Sequence, residues 1–163
     1  MEVFLINGEP KMTLAHNWSS LSKPQLGRYA EYLVKMELTL HGLDVYTTEV
    51  DDKGIDFVVR KDRNHYYDIQ VKSSRNLTYI FYPKGKFEPY ENLYTAVVLF
   101  TDGKPPELFL IPSTVWLKPN ALFVDRDYEG RKSPPEHGLN LSLKNLPLLE
   151  PRGFEKMVDQ LKA

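Results

Sequence analysis

The chain has 163 residues, 42% hydrophobic and 26% charged, with a net charge of −1 and no cysteine. That length fits one ordinary domain spanning 1–163, and the composition excludes a disordered chain, disulfides, thiolate zinc sites and cysteine nucleophiles. Non-specific coating of nucleic acid draws on a basic excess that is missing here, so any such contact must come from a local patch.

No apolar run approaches the roughly 20 residues that span a bilayer. The opening Met-Glu-Val-Phe-Leu-Ile-Asn has no basic start and too short an apolar stretch for a signal peptide, so a cytoplasmic setting is the expectation. Val3 to Ile6 reads as a short strand, with Gly8-Glu9-Pro10 as a turn. The clearest helix follows. Ser22 and Gln25 fit a capping box with Pro24 in the first turn, and Leu26, Ala30, Leu33, Met36 and Leu40 recur at helical spacing up to Gly42.

Three strands are predicted next. Asp44 to Val50 is rich in β-branched and aromatic residues, and a turn at Asp51-Asp52-Lys53-Gly54 leads to Ile55 through Val59. Arg63-Asn64 turns the chain into Tyr66 to Ser73, with Tyr67, Ile69 and Val71 on one face and Asp68, Gln70 and Lys72 on the other. Leu93 to Thr101 reads as a buried strand, and Asp102-Gly103 turns it into a partner at Glu107 to Ile111. Ser113 to Trp116 opens a short helix, Ala121 to Val124 forms a strand, and the alternation at Leu139 to Leu143 predicts an edge strand. Pro151 opens a last helix with Phe154, Met157, Val158 and Leu161 on its apolar face. Trp18 and Trp116 read as packing residues, and the four histidines have no metal-ligand spacing.

Polar side chains on elements that ought to be buried are the informative anomalies. Asp56 sits inside an apolar strand, where an unpaired carboxylate is costly. Gln70 and Lys72, two apart, point the same way from the next strand. Glu31 lies one turn after Gly27, at the margin of the helical stripe, where a helix packed on the sheet can aim it at the same point. Oxygen ligands of this kind suit Mg²⁺, which binds through one or two carboxylates and keeps several waters. Each residue also has a plainer reading. Asp56 can be salt-bridged, Gln70 and Lys72 can form a solvated strand face, and Glu31 can pair with Lys35. Asp68 shares the face of Gln70 and is an alternative ligand nearer the strand end. Lys72, Arg75, Lys84 and Lys86 are interleaved with Tyr79, Phe81, Tyr82 and Phe87 and no acidic residue, a mix that suits a nucleic-acid strand or, equally, a strand of buried aromatics with a polar turn.

In this order, Gly27-Arg-Tyr-Ala-Glu31 on a helix, Gly54-Ile-Asp56 on one strand and Gln70-Val-Lys72 on the next, the chain resembles the PD-(D/E)XK nuclease superfamily. The likeness is to the branch of Holliday-junction resolvases and Mrr-type endonucleases and covers Leu21 to Ser74. It implies an α/β, restriction-endonuclease-like three-layer core (αβββαβ) with a central mixed sheet, although no helix is evident between the third and fourth core strands. It implies a DNA nuclease dependent on Mg²⁺ or Mn²⁺, with Glu31, Asp56, Gln70 and the Val71 carbonyl holding metal and Lys72 completing the catalytic set. Arg75, Lys84 and Lys86 would contact DNA, and a homodimer would suit duplex cutting. The sequence departs from the superfamily in carrying Ile55 for Pro and Gln70 for an acid, which removes a negative charge from the metal site. Two other readings stay open: a nuclease-fold module that binds nucleic acid without cleaving it, and a protein-interaction domain with an internal polar network.

Overall fold

A computed structural model describes the backbone of residues 3–6 and 9–12, and residues 15–50 and 53–163 in full. Gly8, Asp51 and Asp52, on which two of the expected turns fall, lie outside the described residues. β1 (Val3–Ile6) and β2 (Glu9–Met12) form a separate antiparallel ribbon, so Glu9-Pro10 belongs to the returning strand rather than to a turn. The helix α1 (Lys23–Leu40) starts at the expected capping box, with the Ser22 hydroxyl accepting from the Gln25 N–H and the Gln25 side chain accepting from the Ser22 N–H. It buries Leu26, Ala30, Val34 and Leu38, while the expected Met36 and Leu40 stand in solvent. The i, i+4 row through Ala30 forms a narrow contact with the sheet, and Leu33 flanks it.

The central sheet has the order β3-β4-β5-β7-β8, from β3 (Asp44–Thr47), β4 (Phe57–Arg60), β5 (Tyr66–Arg75), β7 (Leu93–Phe100) and β8 (Glu107–Pro112). β5 and β7 run parallel and the other pairs antiparallel, so the sheet is mixed. The crossover between the parallel pair holds no helix. It passes instead through β6 (Tyr79–Pro83), which joins β9 (Phe123–Arg126) and β10 (Glu136–Asn140) in a second sheet of order β6-β10-β9. After α2 (Leu146–Leu149) and one 3₁₀ turn at Glu150–Arg152, the chain enters α3 (Phe154–Lys162). The last helix therefore begins after Gly153 rather than at Pro151, and it buries the four residues expected of it.

Two cores lie on opposite faces of the central sheet. One packs Ala30, Val34 and Leu38 of α1 and Met157, Val158 and Leu161 of α3 against Phe57, Ile69, Ala96, Val98 and Leu110. The other packs Val97, Leu99 and Ile111 against Ile80, Tyr82, Phe123 and Leu139 of the small sheet, with Trp116 and Phe87 between. The layers are thus helices, mixed sheet and small sheet. Tyr82 ties the two sheets together through a hydroxyl contact with Thr95 at 3.1 Å, both side chains fully buried. Trp18 is buried in the first core and donates its indole N–H to the Lys104 carbonyl.

The strand expected at the edge is central. β10 pairs with β6 on one side and β9 on the other. Its alternation is hidden because Gly138 holds the middle of its outer face, where the Tyr79 ring lies across it and donates to Glu136 at 2.8 Å. Leu143, which carried part of the expected pattern, is 81% exposed. A Cβ on Gly138 would stand 1.9 Å from the Tyr79 hydroxyl. Gly138→Ala therefore expels the ring and costs about 1–3 kcal/mol, as overpacking does. In a Tyr79→Ala background the same change is expected to cost little, as a double-mutant cycle of chemical unfolding would read.

His137, on the inner face of β10, is 7% exposed, and its Nδ1 has no hydrogen-bond partner among the described residues. Burial pushes its imidazole below the usual range, against the opposing pull of Asp125. The unfolded chain then takes up a proton near pH 6.5 that the folded chain refuses, so stability is full above that pH and falls on acidification. The loss is bounded by about 1.4 kcal/mol per pH unit for one proton. Thermal unfolding between pH 7.5 and 5.5 is expected to show a drop that His137→Gln flattens.

Candidate metal centre and its surroundings

β5 alternates as expected. Ile69 is buried beneath the helices, with Tyr67 and Val71 packed on the same core, so Gln70 and Lys72 face the small sheet beside Thr95 and Val97 of β7. Asp56 immediately precedes β4. Its N–H donates to the Ile69 carbonyl at 2.9 Å, and its Oδ2 accepts from the Val71 N–H at 2.6 Å. The carboxylate thus substitutes for the next acceptor in the β4–β5 ladder, and β5 continues without β4 beside it. N–H and C=O of one strand residue point to the same side, so the Val71 carbonyl faces the side on which Asp56 lies. The Asp56 N–H meets the Ile69 carbonyl one residue out of the β4–β5 register, a bulge-like step that brings its carboxylate to the Val71 N–H, next to Gln70 in the chain.

Gln70 is nearly buried, and its Oε1 has no hydrogen-bond partner among the described residues. Gly54 lies against the same amide. A Cβ there would stand 3.1 Å from Gln70 Nε2 and 3.1 Å from the Lys86 carbonyl, and its φ of +75° is one that other residues adopt at a cost. The Lys72 ammonium lies 5.4 Å from the centre of the Tyr82 ring, which Phe87 and Trp116 flank.

Glu31 comes from α1. The Arg75 guanidinium donates to the Leu21 carbonyl at 2.5 Å and so fixes the start of the helix over the end of β5. Ten residues of helix at about 1.5 Å each match four to five of strand at about 3.3 Å, which sets Glu31 at the height of Gln70 and Val71 along β5 but on the helix side of the sheet, the face opposite to the Gln70 side chain. The same count brings Lys35 over Ile69, and its ammonium does lie 5.2 Å above the ring of Phe57, the strand partner of Ile69. Glu31 itself pairs with Arg28 at 2.6 Å, not with Lys35.

Asp68 is engaged elsewhere, accepting from the Tyr90 hydroxyl at 2.6 Å. Among the described residues no three Asp, Glu or His side chains gather closely enough to hold a metal ion by themselves. A cation here would rely on the two carboxylates, the Gln70 amide oxygen and the Val71 carbonyl. These donors are all oxygen, as a hard divalent cation requires. A buried acceptor left unpaired costs about 1–3 kcal/mol, and a bound cation would satisfy Gln70 Oε1.

The basic and aromatic segment divides sharply. Tyr82 and Phe87 are core residues, and Tyr79 is held by Glu136 beneath the Arg126 guanidinium, leaving only Phe81 of the four broadly exposed. Lys84 is clamped between Asp125 and Asp127 at 2.5 Å each, and both contacts raise its pKa. Arg75 donates through one guanidinium nitrogen to the Leu21 carbonyl, while Lys86 stands exposed. The two carboxylates on Lys84 lie some forty residues downstream, on and just after β9, so no local pattern announced them.

No helix among the described residues is long and apolar enough to cross a membrane. No family model matches the chain, and no curated protein matches it. Among solved structures it is similar to Hjc, a Holliday junction resolvase from the archaeal hyperthermophile Archaeoglobus fulgidus, at 12% identity and a TM-score of 0.51. The match covers 82% of this chain and 95% of that one. With its leading helix and central mixed sheet, the protein has the restriction-endonuclease-like fold.

Proposed function

We propose that this protein is a metal-dependent nuclease that hydrolyses DNA phosphodiester bonds. The observation that carries the reading is the buried Gln70 Oε1, without a hydrogen-bond partner among the described residues, on the residue just before the one whose N–H the Asp56 carboxylate holds. Glu31, Asp56, Gln70 and the Val71 carbonyl would hold Mg²⁺ or Mn²⁺. When bound, such an ion activates a water and polarises the phosphate.

The chain's own groups do the rest. Asp56, fixed by the Val71 N–H, presents its carboxylate at one orientation and needs no rearrangement. Lys72, held near the Tyr82 ring, sets a positive charge where negative charge builds on the phosphoryl oxygens as water adds to phosphorus and the bond to the leaving oxygen breaks. Exposed Lys86 contacts the strand backbone. The second reading, a nuclease-fold module that binds without cleaving, draws on the neutral Gln70 and on Lys84, whose charge two aspartates already offset.

Cleavage of DNA with Mn²⁺ or Mg²⁺ tests the proposal. Asp56→Asn and Lys72→Ala are each expected to reduce the rate at least about 100-fold, as loss of a group acting on the transition state does. DNA binding that persists with no cleavage under any divalent metal would favour the second reading. Gln70→Glu gives an independent check. As a ligand it adds a charge, so Mg²⁺ should bind more tightly by calorimetry, while the metal-free protein loses stability from the buried carboxylate. Weaker metal binding in this variant would remove Gln70 from the ligand set.

The lysines should separate by salt dependence. Lys86→Ala is expected to lower DNA affinity and reduce the slope of log affinity against log salt by roughly one. Lys84→Ala should leave that slope unchanged, because its charge is already met within the fold.

A further inference from the structure

A cavity of about 270 Å³ opens beside Gly54, between the turn after β6 and the start of β7. Its lining includes buried Leu93, half-buried Ile55, and exposed Tyr90, Lys53, Lys86 and Glu88. Pockets for drug-sized ligands run to roughly 300–1,000 Å³, so this one suits a single small ring system. Gly54 is shared with the candidate metal centre, since its position is packed against the Gln70 amide.

Tyr90 is the unusual wall. It is 41% exposed, yet every polar group it has is fixed. Its hydroxyl donates to Asp68, its N–H donates to the Ser113 hydroxyl at 2.9 Å, and that hydroxyl donates back to the Tyr90 carbonyl at 2.8 Å. Ser113 is fully buried, so the anchor is rigid. Burial and the bond to Asp68 push the phenol's pKa up, which keeps it neutral and donating. An aromatic face held still in solvent binds a second ring without first paying to order itself.

We propose that this cavity receives one unstacked nucleotide of a DNA strand, its base against the ring of Tyr90 and its flanking phosphates at Lys53 and Lys86. Glu88 supplies an acceptor for an exocyclic amino group. The proposal rests on the nuclease reading for its biological sense and names the substrate class. The strand would be single, or gapped near the cut, because drawing a base out of an intact duplex costs a few kcal/mol.

The test is binding, followed by fluorescence anisotropy with EDTA present so that neither metal nor cleavage enters. A short single strand is compared with its duplex and with an abasic strand of equal length and charge. Base–aromatic stacking amounts to about 1–3 kcal/mol, so the normal strand should bind about 5- to 150-fold more tightly than the abasic one. Tyr90→Ala should bring that ratio near one, while Tyr90→Phe should keep it. Equal binding of normal and abasic strands, duplex binding as tight as single-strand binding, or an unchanged ratio in Tyr90→Ala would each overturn the proposal. Cleavage is scored separately. Base-dependent binding without cleavage removes the nuclease reading and leaves the pocket, whereas cleavage without base dependence removes the pocket alone.

Discussion

The Asp56 carboxylate accepts a hydrogen bond from the Val71 N–H at the point where a further residue of β4 would otherwise pair. A charge-assisted bond of this kind is worth about 1.5–3 kcal/mol, and here it ends a strand pairing without leaving the Val71 N–H unmet. The four residues of β4 stop there while the ten of β5 run on. The Val71 carbonyl, the Gln70 amide and the Lys72 ammonium all belong to this overrunning stretch. Arg75, at its far end, holds the start of α1 and thereby sets the height at which Glu31 meets the sheet. One side chain in the ladder thus opens the cleft, and a second fixes the helix above it.

Much of this was legible in the sequence because it is local. The capping box at Ser22, the period-two pattern of Tyr67, Ile69 and Val71, and an acid at the head of an apolar strand each declare themselves within a few residues. The small sheet was harder to read. β10 shows little alternation because its middle residue is Gly138, whose missing side chain is replaced by Tyr79 from a strand nearly sixty residues earlier. Lys84 likewise looked like a free cation, since Asp125 and Asp127 are far along the chain. Met36 and Leu40 misled in the opposite sense. Their spacing is helical, but periodicity marks a stripe without saying how wide the contact beneath it is.

The crossover between β5 and β7 departs most from the arrangement that the sequence resemblance implies. A parallel pair needs a connection that covers one sheet face, and a helix is the usual means. Here the cover is a second sheet, with β6 contributed by the crossover and β9 and β10 by later chain. Tyr82 makes the substitution work. Its ring fills the space between the sheets beside Phe87 and Trp116, and its hydroxyl meets Thr95 in the middle of β7. The same ring is the surface that Lys72 approaches, so the covering layer also shapes the polar side of the cleft.

The pairing of β6 with β10 has a consequence for the order in which the molecule is made. β6 finds no partner among its neighbours in sequence, and its hydrogen-bonding edge is first met by Glu136–Asn140. On a ribosome α1, β3 to β5, β7 and β8 emerge and can pair while β6 still waits, its Ile80 and Tyr82 uncovered. Non-local strand pairing of this kind is slow and exposes apolar surface while it is pending. The layer facing Gln70 and Lys72 is therefore among the last to close, and a chain ending before β10 would carry every residue of the cleft without the sheet that roofs it.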